Sequence, residues 1–123
     1  GLPAAFDIRD DKRVLDIVKK FNDEKKLVSA ICAGPCVLAK AGVLSGRNAV
    51  IFPGMESELL DANVKEDAIC IDDNIITARG AGLALEFAYT LIRKIKGKVQ
   101  EKQIRFASVD HLLKSFILKE ENK

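Results

Sequence analysis

The sequence predicts an α/β domain built on a mostly parallel sheet covered on both faces. Three observations carry that prediction. Short β-prone runs at 27–31, 49–52 and 75–78 alternate with segments of helical period. The run at 27–31 is apolar enough to be a buried strand, as parallel sheets require. The chain has 123 residues, 48% apolar and 31% charged, which fits one globular domain with a real core.

Taken in order, residues 1–5 read as a loop. The spacing of Val14, Leu15, Val18 and Phe21 predicts a helix over 10–22, with Asp10 or Asp11 as its cap. The strand at 27–31 leads through Cys32-Ala33-Gly34 into a helix over 35–41, stopped by Gly42, and 43–48 is a turn. The strand at 49–52 ends at Pro53-Gly54, and one or two helical turns follow over 55–60. Runs at 68–71 and 75–78 flank Asp72-Asp73-Asn74 as a hairpin or tight bend. Arg79-Gly80-Ala81-Gly82 is a glycine-punctuated loop into a helix over 83–96. The expected buried stripe of that helix is Leu83, Phe87, Leu91 and Ile95, with Ala84, Ala88 and Ile92 beside it. Gly97 stops it, 98–107 reads as a surface helix, and the tail from Lys114 ends in charge and is expected to fray.

The net charge of +2 is spread through interleaved acidic and basic residues, which argues against nucleic-acid binding. No apolar run is long enough for a membrane span, and no signal-peptide pattern opens the chain. Three irregularly spaced cysteines make no disulfide framework, so a reducing, cytoplasmic setting is expected. The chain starts at Gly1 and its only methionine is Met55, so it reads as the later part of a longer protein.

The chemistry concentrates at Cys32. A strand-to-helix turn lifts its central side chain out of the sheet, and a helix N-terminus favours thiolate over thiol. Ala33 and Gly34 leave room for a close approach, and Pro35 suits a first helical position. Cys32 is therefore the candidate nucleophile, against the simpler reading of a buried cysteine. Cys36 and Cys70 read as core thiols, and a bridge between Cys32 and Cys36 has poor geometry at that spacing. With one histidine in the chain, no metal site is expected. That histidine, His111, fits a surface or cap role better than a base for Cys32. Arg79 and Gly80 open a loop that either helps form an anion or carbonyl pocket or only places a surface ion pair. Glu56 and Glu58 read as solvated.

Together these residues resemble a family. Ala30-Ile31-Cys32-Ala33-Gly34-Pro35 with Val37-Leu38-Ala39-Lys40-Ala41-Gly42 resembles the nucleophile elbow of the ThiJ/PfpI (DJ-one) superfamily. Pro53-Gly54 with Glu56 and Glu58-Leu59 is similar to the family's next block. Ile75-Ile76-Thr77-Ala78-Arg79-Gly80-Ala81-Gly82 with Leu85-Glu86-Phe87-Ala88 is similar to its loop into a long helix. The likeness runs to about Ala107.

The resemblance implies a flavodoxin-like three-layer sandwich, a homodimer and no cofactor. It implies an oxyanion site from the backbone N–H groups of Ala33 and Gly1, with Gly34, Pro35, Phe52, Pro53, Arg79 and Gly80 in the pocket. It also places a proton-sharing glutamate and the first strands of the sheet ahead of Gly1. That missing N-terminal segment is expected to accompany the chain, because the sheet would otherwise keep an open edge.

Ala33, where the PfpI branch has histidine, argues against a Cys–His protease. The branch of the parkinsonism-associated deglycase and its bacterial ThiJ/YajL relatives fits better, with Phe52 where human-type members carry histidine and Ala81 where proline is common. Class I glutamine amidotransferases need a His-x-Glu pair that the chain lacks. The implied activity is that of a glyoxalase or deglycase acting on methylglyoxal, glyoxal or their early protein adducts. The alternative is a redox sensor or chaperone that uses Cys32 oxidation without turnover.

Overall fold

The computed structural model describes all 123 residues, Gly1–Lys123, and forms two compact units, Gly1–Ala84 and Leu85–Lys123. The first unit holds α1 (Ala4–Arg9), α2 (Lys12–Asp23), β1 (Val28–Ile31), α3 (Pro35–Lys40), β2 (Asn48–Ala49), β3 (Asn63–Val64), β4 (Ile69–Asp72) and β5 (Ile75–Ala78). Single 3-10 turns occupy Glu56–Leu59 and Ala81–Leu83. The second unit holds α5 (Lys98–Ala107), α6 (His111–Glu121) and nearly all of α4 (Ala84–Lys96).

The main sheet has the order β1-β5-β4. β1 runs parallel to β5 with Val28 opposite Ile75 and Ile31 opposite Ala78, while β4 pairs antiparallel to β5. β2 and β3 form a separate parallel pair. All four residues of β5 are buried, so this strand is covered on both faces, which explains its unbroken apolar and small composition. The expected bend at 72–74 is the β4–β5 hairpin, with Asp73 at φ +52°.

A side-chain cap starts α2, and backbone conformation ends α3. Asp11 rather than Asp10 caps α2, accepting from the Arg13 N–H at 2.9 Å. Bonds from the Arg13 side chain and N–H hold the Asp11 carboxyl down to about 2. Asp10 turns instead to Arg9, at 3.0 Å. Gly42 follows α3 at φ +81°, the left-handed position that ends a helix. The core gathers α3 against β1 and β5, with Leu44, Ile51, Leu59 and Ile75 at most 1% exposed. Asn74, buried at the β4–β5 bend, donates to the Lys26 carbonyl at 2.9 Å and accepts from Arg47 at 3.1 Å. This places a buried amide where both of its ends are satisfied.

Several expectations change. Residues 1–5 are not all loop, because α1 starts at Ala4 and packs Ala5 and Phe6 on the core. The strand expected at 49–52 is confined to Asn48–Ala49. Beyond Ala49 the amides find other acceptors: Val50 donates to the Thr77 hydroxyl at 3.0 Å and Phe52 to the Cys32 carbonyl at 3.0 Å.

In the second unit the buried positions of α4 are Tyr89 and Thr90, whereas Ile95 is 63% exposed. Leu83, Phe87, Leu91 and Ile92 of the expected stripe are half-buried, while Tyr89 is covered by Arg105 of α5. Its guanidinium bonds Glu86 at 2.7 and 2.8 Å, Glu101 and Asp110 at 3.0 Å, and lies 4.2 Å from the Tyr89 ring centroid. The tail expected to fray from Lys114 is helical through Glu121. No helix is long and apolar enough to cross a membrane.

Candidate functional site

Cys32 stands at the end of β1 with φ +62°, a left-handed conformation that a non-glycine residue adopts only under local constraint. Two backbone bonds supply the constraint. The Cys32 N–H donates to the Ala78 carbonyl at 2.9 Å, and its own carbonyl accepts the Phe52 N–H at 3.0 Å. The turn is thus tied to β5 on one side and to the segment after β2 on the other. The thiol is half-buried, whereas Cys36 and Cys70 are 1% and 5% exposed.

Around Cys32 the amides are unequal. The Gly34 N–H donates to the Ile31 carbonyl at 3.0 Å, while the Ala33 N–H makes no backbone hydrogen bond. A donor left over beside a thiol is what an oxyanion site requires. Gly34 is needed for the closeness of the turn: a Cβ there would lie 3.0 Å from the Ile31 carbonyl oxygen and 3.3 Å from the Ala30 Cβ. Pro35 then fills the first position of α3, where no N–H is called for.

Phe52, whose N–H bonds the Cys32 carbonyl, meets Gly80. The Phe52 Cδ2 lies 3.8 Å from where a Gly80 Cβ would be, and the ring is 46% exposed. Pro53 is exposed beside it. Arg79 follows Ala78 directly, donating to the Glu66 carbonyl at 3.3 Å and pairing with Glu56 at 3.7 Å. Its Nε is buried without a partner. The ion pair foreseen for Arg79 is present.

Glu56 and Glu58, expected to be merely solvated, both have cation partners. The N–H groups of Glu56 itself and of Gly54 hold the Glu56 carboxyl below its ordinary range, with Arg79 adding to the effect. Glu58 pairs with Arg9 at 3.2 Å.

The other residues singled out in the sequence have these surroundings. Gly1 is exposed, and its carbonyl accepts from the Ala5 N–H at 3.0 Å at the start of α1. Cys36 packs one turn into α3 with its Sγ 3.9 Å from the Ala5 carbonyl, and burial pushes its thiol up. A cavity of about 160 Å³ between Arg9, Asp10, Cys36, Lys40, Glu58 and Leu60 borders this second thiol. Burial also raises Cys70. His111 stacks on Phe106 with ring centroids 5.3 Å apart, in the second unit. No group of three or more His, Cys, Asp or Glu side chains is arranged to hold a metal ion.

Two contributors had no signal in the sequence. The Ala78 carbonyl and the Thr77 hydroxyl act through register and local direction, which composition does not encode.

Comparison with known proteins agrees with this fold. A family model described as the DJ-1/PfpI family matches residues 1–94. Protein DJ-1 homolog B of Arabidopsis thaliana is 34% identical over 110 residues, 89% of this chain and 25% of that protein. A protein named as a deglycase from Pyrococcus abyssi is 34% identical over 77 residues, 61% of this chain and 46% of its own length. The crystal structure of Drosophila melanogaster DJ-1beta superposes with a TM-score of 0.84 at 32% identity, covering 89% of this chain and 60% of that one. The chain therefore spans between a quarter and three fifths of these relatives.

Proposed function

The chain belongs to the DJ-1/PfpI family, and on that footing we propose that it carries the nucleophile of a glyoxalase or deglycase reaction on methylglyoxal, glyoxal or their early protein adducts. The observation that carries this reading is Cys32 itself: a half-exposed thiol at φ +62° beside the unbonded Ala33 N–H.

The Cys32 sulfur attacks the aldehyde carbon of methylglyoxal. A carbon–sulfur bond forms, and the carbonyl π pair moves to oxygen, where the Ala33 N–H meets it. By the family resemblance, the Gly1 N–H is the second donor. Protonation gives the hemithioacetal. Its C1 proton then passes to C2 through an enediolate, so C1 is oxidised as C2 is reduced and no external redox partner is needed. Water cleaves the resulting lactyl thioester, releasing lactate and the thiol. The resemblance assigns the proton transfers to a glutamate placed ahead of Gly1 and pairs two copies as a homodimer.

The protein named as a deglycase from Pyrococcus abyssi supports the substrate class. A redox role is the second reading, favoured by Cys32 being the most exposed of the three thiols.

The test is consumption of methylglyoxal by the full-length protein and by its Cys32→Ala variant. Loss of consumption in the variant is expected; undiminished consumption overturns the proposal.

A further inference from the structure

We propose that α6 is a self-association surface, pairing antiparallel with α6 of a second copy of this chain. The helix lies beyond residues 1–94, which the family model matches, and beyond Ala107, where the sequence likeness ends. The surface is therefore additional to the homodimer that the resemblance implies, and it does not depend on the chemistry at Cys32.

α6 has 11 residues, none of them buried. Leu112, Leu113, Phe116 and Ile117 stand at i, i+1, i+4 and i+5, which gathers them on one face. They are 45–60% exposed. The apolar stripe of a helix is ordinarily covered, so four large side chains left bare together mark a docking face.

The charges select what covers it. A lone helix is stabilised by acids in its first turn and bases in its last. α6 has no acid in its first turn and carries Lys114 at its fourth position, while its last turn sets Glu120 and Glu121 beside Lys119. Lys123 binds Glu120 at 2.7 Å, but neither Lys114 nor Glu121 has an ion-pair partner within the chain. Lys114, Ile117 and Glu121 follow at i, i+3 and i+7, so they line one edge of the apolar face. Turning a second α6 end for end about Ile117 lays each Lys114 beside the Glu121 of the other copy. Two-fold symmetry makes that match twice. The apolar face with its charged edges offers on the order of 500 Å² a copy, so the pair reaches the roughly 1,000 Å² at which specific interfaces begin.

The test is sedimentation equilibrium of the full-length protein as wild type, Glu121→Lys and the double variant Lys114→Glu/Glu121→Lys. The single variant sets two like-charge pairs and is expected to raise the dissociation constant of the α6 step about tenfold; the double variant should return it to within about threefold of wild type. An unchanged constant in Glu121→Lys overturns the proposal, and so does a double variant that associates no better than the single one. Ile117→Cys checks the orientation separately. Diamide is expected to take two electrons and two protons from the introduced thiols of two copies and leave a disulfide between them, read by peptide mass mapping. A single sedimenting species at every concentration, with no such cross-link, places α6 on another part of its own chain and overturns the proposal.

Discussion

The Cys32 N–H donates to the Ala78 carbonyl at 2.9 Å, so the turn that carries the thiol is pinned to the strand that delivers Arg79 and Gly80. This bond continues the β1–β5 register one residue past Ile31 opposite Ala78. Sheet pairing thereby fixes where the sulfur stands, and the φ of +62° is maintained by bonds on both sides of the residue.

That strain predicts a trade between stability and chemistry. Glycine occupies the left-handed region without the roughly 1–2 kcal/mol that a side chain costs there. It gives back about 0.5–1 kcal/mol through the freer unfolded chain. Cys32→Gly is therefore expected to be at least as stable as wild type in urea denaturation, while losing every Cys32-dependent reaction. A loss of more than about 2 kcal/mol would show that the turn is not strained.

Gly34 predicts the opposite sign. A methyl group there meets the Ile31 carbonyl at 3.0 Å, and that carbonyl already accepts the Gly34 N–H. Backbone at the end of a paired strand yields poorly, so Gly34→Ala should cost about 1–3 kcal/mol and slow Cys32 modification. Unfolding at the wild-type midpoint would contradict this.

The buried thiols set an alkaline limit. Burial raises Cys36 and Cys70 above the ordinary thiol value of 9.0, so the folded state holds their protons more tightly than the unfolded state does. Their contribution is complete below 9.0 and is lost as pH rises through the raised folded values. The urea midpoint should fall with pH above that point, and the fall should be shallower in Cys36→Ala and Cys70→Ala. Identical slopes in all three proteins would rule out these thiols as its source.

The strand–turn–helix that carries Cys32 was more legible in the sequence than the elements around it. The order of an apolar strand, Cys32-Ala33-Gly34 and Pro35 contains its own explanation, because each residue type is required by local backbone geometry. The β4–β5 hairpin was legible for the same reason, through Asp73 and Asn74. Helix α1 was not: it has six residues and no side-chain cap, and it is held by packing Ala5 and Phe6 on the core. The burial of Tyr89 on α4 was not legible either, because Arg105, 16 residues beyond it in the chain, lies over its ring. Ion pairs such as Arg9–Glu58 and Arg79–Glu56 join distant positions, so no local pattern announces them.

The claim at the centre of this account is that Cys32 alone among three cysteines is presented for reaction. Limiting iodoacetamide on the native full-length protein, followed by peptide mass mapping, tests it directly. Cys32 is expected to be alkylated while Cys36 and Cys70 stay free until the protein unfolds. Alkylation of Cys36 or Cys70 at or before the rate of Cys32 would contradict it.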